Sequence, residues 1–169
     1  AEAALLRIYI HGADYRDTVL QALEDRDLQF SYSHHRALWR QLQQWQDTDA
    51  ITDLAAQLRA IAAESTSPIS QLQHLLVLDE KTRRDILRAP LVVRAASACI
   101  EKNLCEKRYR HFLQLWSESD GKNPDQQAYY QKLVYAEKHR IADLEKERQV
   151  SFEDLATMPW VGEFYDAID

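Results

Sequence analysis

Residues 30–39 read FSYSHHRALW, which sets the imidazoles of His34 and His35 beside the Arg36 guanidinium, groups able to bind a metal or move a proton. Adjacent residues on a helix point about 100° apart, so two such histidines are badly placed to grip one ion. His11, His74, His111 and His139 are scattered over other segments, and no H-E-x-x-H, E-x-x-H or zinc-spaced cysteine pair occurs. With only three glycines there is no Gly-rich phosphate loop, and Ser-centred nucleophile motifs are missing. The expectation is a segment with no catalytic residue, no metal ligand and no cofactor site. Lys102, Lys107, Arg108 and Arg110 around Tyr109 have the residue types of a nucleic-acid stripe. Glu101 and Glu106 stand among them, however, at spacings that suit a solvated helix face. Asp14 and Asp17 read as a helix cap and a first-turn partner of the helix dipole.

The elements that carry these groups are helical. Leu, Ala, Gln, Glu and Arg dominate the 169 residues, and all are good helix formers. Residues 2–11 predict a short apolar helix stopped by Gly12, and Asp14 is expected to cap a second with Val19, Leu20 and Leu23 inside. Ser33 is expected to cap a third, on which Leu38, Leu42 and Trp45 share a face beside Trp39. Asp49 opens a stripe of Ile51, Leu54, Leu58 and Ile61. Ser67-Pro68 opens another helix with Leu72, Leu75, Leu76 and Leu78. In this frame Phe30 plugs the bundle, and Arg36, in the first turn after Ser33, reaches an acidic neighbour. FSYSHHRALW is therefore expected to pack and orient, not to catalyse.

Beyond residue 89 the helices lengthen. Pro90 predicts a helix to about Glu118, ended by Asp120-Gly121. Asn123-Pro124-Asp125-Gln126 is a strong start for a second, running to about Gln149. Two long helices joined by a short turn must lie antiparallel. Ser151 with Asp154 forms a further capping box. The expected fold is all-α: a compact multi-helix bundle over 1–89, a long helical hairpin over 90–150 and a short acidic-aromatic tail over 151–169. The hairpin seam is expected to use Val92, Ala95, Cys99, Tyr109, Leu113 and Trp116 against Tyr130, Leu133, Val134, Ile141 and Leu144. Lys102, Glu106 and Glu137 interrupt it, so the hairpin is expected to be the less stable part. Tyr129 and Tyr130 cannot both face inward, which leaves at least one aromatic as a surface anchor.

No run of about 18 apolar residues is present. Cys99 and Cys105 are too far apart along a helix to bridge, and free thiols suit a reducing, cytoplasmic setting. Net charge is −6, and residues 151–169 carry five acidic side chains and no Lys or Arg, so strong direct nucleic-acid binding is not expected. The chain opens on Ala1 and its one methionine is Met158, as expected of a segment of a longer protein.

The opening AEAALLRIYI, an acidic helix, then Phe30 with His35-Arg36-Ala37-Leu38, resembles the C-terminal helicase-binding domain of bacterial DNA primase. The related N-terminal collar domain of the hexameric replicative helicase shares this pattern. The stretch 47–89 lacks the Gly-Gly segment usual there, and YYQKLVYAEKHRIADLEKERQVSFEDL is similar to primase tails of the cyanobacterial branch. The resemblance covers most of 1–157, and 158–169 match nothing. It implies a bundle carrying a hairpin, monomeric alone, that docks primase on the helicase collar through the hairpin and modulates the helicase. Primer synthesis in that family lies in other domains, with a zinc site and an acidic metal centre. The expected partner-binding residues are Tyr129, Tyr130, Leu133, Val134, Ile141, Trp160 and Phe164, with Tyr130 as an anchor. The rivals are the helicase collar itself and a helical nucleic-acid-binding domain.

Overall fold

A computed structural model describes residues 1–46, 54–62, 68–119 and 123–156, and every regular element among them is helical. Helix α1 (Glu2–His11) is apolar nearly all round, so it is buried nearly all round. Leu5, Leu6, Ile8, Tyr9 and Ile10 are all inside. Gly12 ends it with φ −108°, so the left-handed freedom of glycine is not what is used. A Cβ there would stand 2.9 Å from the Ile8 carbonyl oxygen, so close approach requires the glycine.

Asp14 does not cap α2 as expected. Ala13–Tyr15 form a 3-10 turn, and α2 (Arg16–Glu24) starts after Tyr15 with no side-chain cap. The extra turn shifts the start past the reach of Asp14, while Asp17 does fall in the first turn. Val19 and Leu23 are buried, with Leu20 against the core. The chain leaves α2 through Asp27, whose φ of +48° is the left-handed turn usually given to glycine. The Leu28 N–H donates to the Leu23 carbonyl at 2.8 Å and the Asp27 N–H to that of Glu24 at 3.0 Å, which closes the helix end.

Helix α3 (Ser33–Gln46) buries Leu38 and Leu42, and α4 (Leu54–Ala62) buries Leu54 and Leu58 with Ile61 beside them. Asp49 and Ile51 lie outside the described residues, as do Ser67 and the Asp120-Gly121 stop. Pro68–Leu75 winds as a 3-10 helix, not an α-helix. At three residues per turn Leu72 and Leu75 fall in line and are buried with Leu76. Leu78, expected inside, lies past the winding and is exposed.

Helix α5 (Glu80–Leu87) has no counterpart in the sequence reading. Asp79 caps it, accepting from the Thr82 N–H at 2.7 Å and the Thr82 hydroxyl at 2.6 Å. Helix α6 (Ala89–Glu118) and helix α7 (Pro124–Glu147) form the hairpin, and the Gln126 N–H donates to the Asn123 side chain as expected. The first turns of α6 also belong to the bundle: Ala89, Val93, Ala96 and Ile100 join the core built on α1, α2 and α3. At 1.5 Å per residue, α6 runs about 45 Å from that core to the tip. Helix α8 (Phe152–Ala156) follows, with Ser151 and Asp154 capping each other at 2.7 and 3.1 Å.

Candidate interaction surface

The histidine pair belongs to the bundle's interior order. Phe30 is 2% exposed and meets Trp39 edge-on at 5.4 Å. Ser33 is the first helical residue, with Tyr32 before it. Arg36 does not reach a carboxylate as expected: its Nη1 donates to the Phe30 and Ser31 carbonyls at 2.9 and 2.6 Å. The carboxylate goes to the histidine instead. Glu2, on α1, accepts from His35 Nδ1 at 2.6 Å and from the Ser31 N–H at 2.6 Å, with Tyr32 N–H at 3.4 Å. Burial pushes the Glu2 carboxyl up, but the bonds from His35, Ser31 and Tyr32 outweigh it and hold it below its ordinary value. His34 stacks on exposed Tyr32 instead of turning to a shared centre. Among the described residues no cluster of His, Cys, Asp and Glu is arranged to hold a metal, and no helix is long and apolar enough to cross a membrane.

The hairpin seam differs from the expected register by one residue on its first arm. Ala98 and Cys105 are buried against Leu144, with Ile141 packed on them. Cys99 is only half-buried and Leu113 is 40% exposed. Of the charges that looked like interruptions, Lys102 and Glu137 are paired across the seam, and Glu106 lies 3.7 Å from Lys102 along α6. Glu137 accepts two bonds from Arg108, at 2.7 and 3.2 Å. Lys102 reaches Glu145 at 2.5 Å. Glu101 accepts a fork from Arg140 at 2.6 and 2.8 Å, and Arg26 of the bundle at 2.8 Å. Burial raises the Glu101 carboxyl, and the two guanidiniums more than reverse it. At the base, Arg94 forks onto Asp154 at 2.9 and 2.6 Å and holds that carboxyl well below the usual range. The basic cluster is thus partly neutralised, through Lys102 and Arg108, by partners on α7.

The tip is built differently. Among residues 106–119 and 123–133 no side chain is buried, although Tyr109, Phe112, Leu113, Leu115, Trp116, Tyr129, Tyr130 and Leu133 all lie there. Two helices alone present too little surface to enclose so many large apolar groups. Tyr129 is 59% exposed, and half-buried Leu133 stands one turn along the same flank. Tyr130 is half-buried, its hydroxyl 3.3 Å from Gln126 Nε2. Val134 is 4% exposed inside the seam and offers no free face, and half-buried Ile141 packs on the Cys105 cluster. Tyr135, not singled out as an anchor from the sequence, is 50% exposed. Trp160 and Phe164 lie outside the described residues.

No family model matches the chain, and no solved structure does. A DNA primase of Synechocystis sp. is 30% identical and one of Synechococcus elongatus 26% identical, each over 88% of this chain. The matches take in 24% and 28% of those two proteins, so the chain spans about a quarter of the length of the curated relatives it matches.

Proposed function

The chain is a DNA primase-related domain, and on that premise we propose that it is a noncatalytic adaptor that docks primase on the N-terminal collar of the hexameric replicative helicase. The observation that carries this reading is the hairpin tip, where large apolar side chains gather on two helices and none is buried. Such a surface gains most from a third apolar element laid across it, which a helical collar would supply. Tyr129 and Leu133 form the reachable anchor pair, with the edge of Tyr130 beside them.

The test is a titration of the helicase N-terminal region with this chain and with Tyr129→Ala. The parent chain binds, and the variant loses about 2 kcal/mol, roughly thirtyfold in Kd. Its melting curve stays within about 1 °C of the parent's, since an exposed side chain carries little of the fold. An inert parent chain, or equal Kd values for both proteins, would overturn the docking assignment.

A further inference from the structure

The two apolar clusters of the molecule share no residue among those described: the bundle core takes α6 as far as Ile100 and Leu104, and α7 meets α6 through the separate group of Ala98, Cys105, Ile141 and Leu144. Among the described residues, a direct link from α7 to the bundle is ionic. Arg26, in the turn after α2, places Nη1 2.8 Å from Glu101 on α6 and 3.0 Å from Glu147 on α7. Glu101 in turn holds Arg140, two helical turns before Glu147 on the same face of α7. Four charges of alternating sign therefore run Arg140, Glu101, Arg26, Glu147, leaving α7, crossing α6 and the bundle, and returning to α7.

We infer that Arg26 is a positioning residue: a clasp through which the bundle fixes the second arm of the hairpin, and with it the direction in which the tip is presented. The side chains of Arg26 and Glu101 are 18% and 14% exposed, so this link is shielded from salt better than a surface pair. One guanidinium nitrogen, Nη1, serves both carboxylates through charge-assisted hydrogen bonds, which are stronger than neutral ones. Arg26 stands one residue before the left-handed Asp27, in the turn whose backbone bonds close the α2 end. The clasp stands independently of the docking reading; only its consequence for the tip rests on that reading.

Amide hydrogen exchange on the intact chain tests the clasp. In Arg26→Ala, exchange over 141–148 speeds up at least about fivefold, while α1 and α3 keep their protection. Glu147→Gln, a near-isosteric change at the outer end, gives a smaller acceleration over the same residues, which covers the case of an Arg26→Ala chain that folds poorly. Raising salt to about 1 M screens only the outer link, where Glu147 is 37% exposed, so it accelerates 141–148 in the parent less than Arg26→Ala does. Unchanged exchange over 141–148 in both variants would overturn the inference, as would loss of protection spread evenly through α1 and α3. Helicase-region binding is read separately. A parent chain that fails to bind sinks the docking proposal and leaves the clasp untouched.

Discussion

Replacing Glu2 by alanine removes one carboxylate and strands three groups that α3 depends on. His35 Nδ1 and the Ser31 N–H, each 2.6 Å from a Glu2 oxygen, lose an acceptor, and the longer Tyr32 contact at 3.4 Å adds little. Both Glu2 and His35 are nearly buried, so water does not easily substitute. A buried donor left unsatisfied costs about 1–3 kcal/mol, and two donors lose their acceptor, so a loss of about 3–4 kcal/mol is expected. For a chain of this size that lowers Tm by roughly 10 °C. Glu2→Gln keeps one acceptor oxygen and loses about half as much. The pH dependence has a defined sign. The folded carboxyl is held below its ordinary value of 4.5, so its stabilisation is present above that pH and is lost as pH falls through the folded value. Melting of parent and Glu2→Gln, followed by circular dichroism from pH 7 to pH 3, should therefore converge at the acid end. An alanine variant melting within about 2 °C of the parent at pH 7 would refute the claim that this carboxylate organises the start of α3.

Asp27→Gly removes a left-handed side chain at φ +48° and should raise stability by about 0.5–1 kcal/mol, read as a later urea midpoint with unchanged slope. Gly12→Ala brings a Cβ to 2.9 Å from the Ile8 carbonyl and should cost about 1–3 kcal/mol in the same assay; a neutral result would mean that α1 can end elsewhere.

Where local chemistry decides, the elements were legible in the residues. The Asn123-Pro124 start, the Ser151/Asp154 box and the long helix from Pro90 all rest on groups within a few positions of one another, and each is found as expected. Helix α5 was not legible, because EKTRRDIL offers only Ile86 and Leu87 as apolar marks. Its signal was the polar pair Asp79 and Thr82, a cap with no stripe behind it. The seam register slipped because its first arm is marked by alanines and cysteines, weak signs of an inward face. Charges that answer each other across 29 or 43 positions look like faults when each arm is read alone. Glu2 and His35 are separated by 33 positions, and nothing local announces that pairing over one with the adjacent Arg36. Of the anchor residues, helix geometry required only that one of Tyr129 and Tyr130 face outward; that Tyr129 is the more exposed, and not the expected anchor Tyr130, depends, like the burial of Val134, on which face α7 turns to α6.

Helix α6 is a single shaft shared by core and tip, and that ties its length to its rotation. Inserting one residue between Leu104 and Lys107 would advance the outer half by 1.5 Å and turn it by about 100°. The seam partners beyond the insertion, Arg108 among them, would then miss their counterparts on α7, and the aromatic flank of the first arm would swing to another side of the molecule. Two changes come close to restoring phase: seven residues, a little short of two full turns, and eleven, a little over three. The distance from bundle to tip can therefore drift only in such steps, matched on α7, and single-residue indels in this stretch are the ones its relatives should lack.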